Sequence, residues 1–168
     1  MTPEFSRFVD VRRIGERPIR LGADAVERAA LATRLGIEAI DRLEAEVLLT
    51  RRGQTIAVSG SLEAEVVQAC AVSGEPLRLA IHEPVELRFV PARTAQQPDE
   101  EIELDAQALD EIEYTGSSID LGEAIAQSLA LAIDPYATGP EAESVRAVAG
   151  LTDDVAAGPF AALAKLKT

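Results

Sequence analysis

Along the middle of the chain, apolar and polar positions alternate with a period of two. Leu43, Ala45, Val47 and Leu49 alternate with Arg42, Glu44 and Glu46, the pattern of a strand with one buried and one wet face. Arg52-Gly53 supplies a turn before residues 55–59, which predicts a hairpin. Leu62, Ala64 and Val66 alternate with Glu63 and Glu65 in a further strand that runs toward Cys70, after which Ser73-Gly74-Glu75-Pro76 turns the chain. Leu77, Leu79 and Ile81 form one face of another strand, and Val85, Leu87 and Phe89 one face of the next, with Pro84 as a break or edge between them. Upstream, residues 5–21 read as extended, in two short strands separated at Gly15.

Two stretches change to helical period. In residues 24–35, Val26, Ala29, Ala30 and Thr33 share one stripe with Leu31 and Leu35 alongside, and Gly36 follows as a stop signal. Asp120 and Glu123 have capping-box spacing, and Leu121, Ile125, Leu129, Ala132 and Ile133 then predict a helix over 121–133 that ends before Pro135. Several short strands with turn-length connections predict an antiparallel sheet. The two amphipathic helices pack on its apolar face, giving an α+β fold, with a partly closed barrel as the alternative. Residues 91–100 lack a periodic pattern and read as a loop, followed by two short peripheral strands at 101–104 and 111–114. One globular domain is predicted over 1–136. Residues 137–168 form a flexible tail, weakly patterned as far as 157, that ends in a short apolar helix.

The 168 residues are 47% hydrophobic, enough for one core. Aromatic residues make up only 4%, with no Trp, so stacking platforms for nucleic-acid bases are scarce. The net charge of −13 is concentrated: residues 93–143 carry thirteen acids and one base. Such polarity points to a basic protein partner rather than to a free-standing binder of phosphate backbones or DNA. No apolar run reaches bilayer length and the N-terminus lacks the regions of a signal peptide, which predicts a cytoplasmic protein without a membrane partner. One cysteine excludes an internal disulfide and a cysteine-based zinc site.

Candidate chemistry is sparse. His82 has the parity of Arg78, away from Leu79 and Ile81, which predicts an exposed strand histidine. Cys70 shares the parity of Leu62, Ala64 and Val66, and with no basic neighbour it reads as buried and inert. Asp99, Glu100, Glu101, Glu103, Asp105, Asp110, Glu111 and Glu113 lack the spacing and central glycine of a calcium loop, so they read as a solvated acidic face. No phosphate loop, nucleophile elbow or zinc-helix motif occurs, so neither an enzyme nor a cofactor is predicted. Arg7, Arg12, Arg13, Arg17 and Arg20 are candidates for RNA phosphate contact, diluted by Glu4, Asp10 and Glu16. Phe160, Leu163 and Leu166, spaced three apart, suit either docking back on the domain or a groove on another protein.

Four pieces of sequence stand in a distinctive order. They are the helix Glu27-Arg28-Ala29-Ala30-Leu31-Ala32, the turn from Cys70 to Glu75-Pro76, the block from Tyr114-Thr115-Gly116 through Asp120-Leu121-Gly122-Glu123 to Asp134-Pro135-Tyr136, and the ending Pro159-Phe160-Ala161-Ala162-Leu163-Ala164-Lys165-Leu166-Lys167. Together they resemble the bacterial YceD family, most of all its alphaproteobacterial branch. The resemblance implies a non-enzymatic factor for synthesis, processing or stability of large-subunit ribosomal RNA during ribosome assembly. Many relatives have Cys-x-x-Cys where this chain has Cys70-Ala71-Val72-Ser73, and some have a cysteine-rich C-terminal segment; both are missing here, so no metal is carried over. Where the family often continues Pro-Arg after Tyr136, this chain has Ala137-Thr138, which removes a phosphate contact. The expected mechanism is that Glu101, Glu103, Asp105, Glu111 and Glu113, with Tyr114, hold a basic ribosomal protein or assembly factor. The 121–133 helix, taken as exposed, or the Phe160, Leu163 and Leu166 cluster would serve as an apolar anchor. Direct RNA binding is the alternative, and a metal-dependent RNA hydrolase a third reading.

Overall fold

The computed structural model describes residues 3–92 and 111–149. Short strands β1 (Phe8–Asp10) and β2 (Ile19–Gly22) and helix α1 (Ala25–Leu35) precede three long strands, β3 (Ala39–Arg52), β4 (Thr55–Ala69) and β5 (Pro76–Pro91). Strands β6 (Glu111–Tyr114) and β7 (Ser118–Asp120) and helices α2 (Leu121–Ala132) and α3 (Ala142–Val148) follow. The fold is α+β. Its main sheet has the order β2-β3-β4-β5-β6 with β2 and β6 at opposite edges, so it is open rather than a closed barrel. A separate antiparallel pair joins β1 to β7.

The period-two segments merge where several short strands were expected. Residues 55–69 form one strand through Gly60, and residues 76–91 form one strand through Pro84. Proline is tolerated there because β5 needs hydrogen bonds only toward β4 at that level; β6 covers only Arg88–Pro91. Gly60 sits opposite Val47 and Val85, where β3 approaches closely. A Cβ at this position would lie 2.1 Å from the Glu46 carbonyl oxygen and 2.7 Å from the Val47 Cα. The sheet is also not wholly antiparallel, since β6 runs parallel to β5 with Arg88 beside Glu111 and Pro91 beside Tyr114. The segment 92–110 makes that return possible, a connection hidden from a reading of turn lengths. The expected strand at 101–104 lies outside the described residues.

One face of the sheet carries the core: Leu43, Val47 and Leu49 of β3, Ile56, Val58, Leu62 and Val66 of β4, and Val85 and Phe89 of β5 are all buried. A register shift between Ile40 and Arg42 lets Ile40 and Leu43 both face inward. Helix α2 covers the β4–β5 side of this face, and Leu121, Ile125 and Leu129 are fully buried. It is therefore no exposed anchor for a partner. Helix α1 lies on β3 and buries Leu31 and Ala32, whereas Val26, Ala29 and Thr33 face solvent, opposite to the expected stripe. The buried stripe is set instead by half-buried Glu27 and Arg28, whose charges are occupied by partners. Arg28 donates to the carbonyls of Ala23 and Ile40, and Glu27 receives Arg7.

Capping differs between the two helices. The reciprocal capping box is at Asp24 and Glu27, each binding the other's backbone N–H. Asp120 accepts from the Glu123 N–H, but the Glu123 carboxylate turns away to Arg34, 2.7 Å distant, so only half of the expected box forms. Arg34 also binds Glu4 at 2.8 Å, and its guanidinium holds both carboxyls below their usual range. Residues 142–148, expected within a weakly patterned tail, form α3 with Ala142 buried.

The segment before β1 lies across the start of α2. Phe5 is fully buried, the Asp120 carboxylate accepts from Ser6 Oγ and the Arg7 N–H, and Leu121 N–H donates to the Arg7 carbonyl. Gly122 makes room for it, since a Cβ there would lie 2.4 Å from the Phe5 carbonyl oxygen.

Candidate functional site

Three separate segments meet at the tip of the β3–β4 hairpin. The β1 end supplies Val11 and Arg12, the hairpin supplies Arg51 and Gln54, and the β6–β7 turn supplies Tyr114, Thr115, Gly116 and Ser117. With Pro91 and Ala92 they line an open cleft of about 450 Å³. Each wall is fixed by backbone geometry. Asp10 accepts from the backbone N–H groups of both Arg12 and Arg13, closing the turn that presents Arg12. Buried Val11 donates to the Ser117 carbonyl, while Gly116 takes the left-handed conformation (φ 77°) that the β6–β7 turn requires. Tyr114 Oη donates to the Gln54 carbonyl at 2.7 Å, tying β6 to the hairpin.

The electrostatics of this cleft set it apart. Arg51 donates from Nε to the Gly53 carbonyl (2.8 Å) and from Nη1 to the Val11 carbonyl (3.2 Å), so its guanidinium is held without a carboxylate. Arg12 forms no ion pair among the described residues. A second hollow, on the outer face between β2, β3 and β4, also contains two arginines, Arg20 and Arg42. There, however, Arg20 binds Glu46 and Arg42 binds Glu44 and Glu63, so the charge is cancelled locally.

The arginines expected to meet RNA thus divide. Arg7 is committed to Glu27 at 2.6 Å and lies over the Phe5 ring, and Arg20 is committed to Glu46, so both serve the fold. Arg12 lies in the cleft, while exposed Arg13 and Arg17 line a separate hollow beside β1 and β2. Arg51 was missed because a hairpin-tip arginine reads as turn polarity; the adjacent Arg51-Arg52 pair was the available signal. Among the acids, Glu111 pairs with Arg88 at 3.3 Å, and Glu113 is exposed on β6. Tyr114 joins the cleft. Glu101, Glu103, Asp105, Phe160, Leu163 and Leu166 lie outside the described residues.

Cys70, just after β4, is buried as expected, with 4% of its surface exposed. Its thiol is less ordinary. Backbone N–H groups of Gly139 (3.3 Å) and Ser73 (3.4 Å) point at Sγ and pull its pKa from 9.0 down to about 6, outweighing the opposing effect of burial. No basic side chain is needed, so the sequence held no local cue. A folded-state pKa below the unfolded one adds stability that is complete above pH 9 and lost as pH falls through about 6. The stability advantage of wild type over Cys70→Ala is therefore expected to widen between pH 6 and pH 9, read from urea midpoints. A pH-independent difference would mean that the buried thiol stays protonated. His82 is exposed on β5, with Nδ1 3.8 Å from Glu63. No helix among the described residues is long and apolar enough to cross a membrane.

A family model described as large ribosomal RNA subunit accumulation protein YceD matches residues 58–167, a span that includes the hydroxyl-bearing wall of the cleft. No curated protein and no solved structure matches the chain.

Proposed function

Because the chain belongs to the YceD family, we propose that it is a non-enzymatic cytoplasmic factor that supports synthesis, processing or stability of large-subunit ribosomal RNA by holding a basic ribosomal protein or assembly factor. Family membership ties the chain to large-subunit ribosomal RNA accumulation. The finer reading rests on one observation: residues 93–143 hold thirteen acids and one base in a chain whose remaining residues are nearly balanced. Within that stretch Glu113, on the edge strand β6, is exposed and has no ion pair among the described residues. Clustered carboxylates attract a basic partner and speed its capture, with strong dependence on salt.

The test is a tagged pull-down from the native host at low salt, split so that one half is treated with ribonuclease. A ribosomal protein retained after nuclease, and reduced at least about tenfold when Glu101, Glu103, Glu111 and Glu113 become lysine, is the expected result. Because Glu111 pairs with Arg88, a second variant carries glutamine at Glu101, Glu103 and Glu113 only. Retention of the partner by both variants at wild-type levels would refute the acidic-holding mechanism.

A further inference from the structure

We infer that the cleft walled by Arg12, Arg51, Thr115 and Ser117 binds the phosphodiester backbone of RNA. The inference rests on the assignment to large-subunit ribosomal RNA accumulation and adds a direct contact to it. Seven other arginines, Arg7, Arg20, Arg34, Arg42, Arg78, Arg88 and Arg146, each lie within ion-pair distance of a carboxylate. Among the described residues Arg12, Arg13, Arg17, Arg28, Arg51 and Arg52 do not. Arg28 is spent on the Ala23 and Ile40 carbonyls, and Arg13 and Arg17 share their hollow with Glu16, whereas Arg12 and Arg51 share one lined, among the described residues, by no carboxylate, in a protein that as a whole is strongly acidic. In such a chain two arginines that share a cleft and form no ion pair among the described residues are a local reversal of sign, and their natural complement is an anion from outside.

The donors are also preorganised. Arg51 spends two guanidinium N–H groups on the Gly53 and Val11 carbonyls, which fix its plane and leave three donors. The side-chain hydroxyls of Thr115 and Ser117 make no hydrogen bond with the described residues, so two further donors line the same space. Arginine forks with hydroxyls are the usual partners of phosphate oxygens, which position a nucleic acid without reading its sequence. The cleft is open and has one aromatic wall residue, Tyr114, whose hydroxyl is already engaged. That shape suits a polyanion lying across the hairpin tip better than an enclosed nucleotide.

The experiment uses the purified full chain and a fluorescein-labelled uridine 20-mer RNA, followed by fluorescence anisotropy in about 50 mM salt. A labelled polyglutamate peptide of equal length and inorganic pyrophosphate serve as comparison ligands. Arg12→Ala is the first variant because its side chain makes no hydrogen bond with the described residues, and Arg12→Ala combined with Arg51→Ala is the second. Arg20→Ala, which removes one charge from a neutralised pair, is the control. The expected result is RNA binding weakened about tenfold or more by the double variant and less than twofold by the control. The slope of log affinity against log salt should be shallower by about 1 to 2. Three results would overturn the inference: no RNA binding by wild type, equal binding by the double variant, or polyglutamate or pyrophosphate binding as tightly as RNA. None of these depends on a captured protein, so failure here leaves the acidic-holding mechanism to be decided by its own nuclease-resistant pull-down.

Discussion

Replacing Gly60 by valine is expected to leave little folded protein. The position lies mid-strand in β4, between Val47 on β3 and Val85 on β5, where a β-branched residue would ordinarily be welcome. Here the first side-chain carbon alone would stand 2.1 Å from the Glu46 carbonyl oxygen and 2.7 Å from the Val47 Cα. Both obstacles are backbone, so relief requires β3 and β4 to separate in the middle of the ladder that joins them. Overpacking of flexible side chains costs about 1–3 kcal/mol; a backbone collision belongs above that range, against a total stability of about 5–15 kcal/mol for an ordinary domain. Gly60→Ala should already lower the urea midpoint steeply, and Ser59→Val, one residue away on the exposed face, should not. A Gly60→Val protein with a wild-type midpoint would contradict the close approach of the two strands.

The second large effect is expected at the other end of the core. Phe5→Ala should cost about 3–5 kcal/mol, the usual loss for a buried phenylalanine, because its ring is fully enclosed and also supports the Arg7 guanidinium at 4.6 Å. The loss spreads beyond one cavity. The same segment supplies Ser6 and Arg7 to the Asp120 carboxylate and receives the Leu121 N–H, so loosening it exposes the first turn of α2. Gly122→Ala reaches the same contact from the opposite side, with its new carbon 2.4 Å from the Phe5 carbonyl. Chemical denaturation of both variants is the check. Wild-type stability in Phe5→Ala would show that the segment merely rests on the domain.

What the sequence makes legible follows from how local each signal is. Alternation through Leu43–Leu49 and Leu62–Val66 announces strands because each residue carries its own face. Helix α2 is equally plain, since Leu121, Ile125 and Leu129 mark one stripe and all three are buried. The face of α1 is not, because charges at Glu27 and Arg28 are drawn inward by partners distant in sequence, a choice that hydropathy alone reverses. The merging of strands across Gly60 and Pro84 depends on what neighbouring strands leave open, and the parallel placement of β6 on where a long connection returns. The cleft is the least legible feature. Its walls come from residues near 11, 51 and 115, none with a motif, and its distinguishing property, two arginines without an ion pair among the described residues, belongs to a place that only the fold defines.

The parallel return of β6 beside β5 has an evolutionary consequence. Chain leaving β5 after Pro91 must regain the level just before Arg88, a distance of about 16 Å at strand rise. Five or six extended residues would span it, yet residues 92–110 intervene. Closing a longer loop costs little, about 0.6 kcal/mol for each doubling of its length. The parallel pairing of β5 with β6 therefore sets only a lower bound on the length of the connection. That length can change over evolutionary time without altering the edge pairing, while the charge of Glu101 and Glu103 within the connection answers to the partner proposed above.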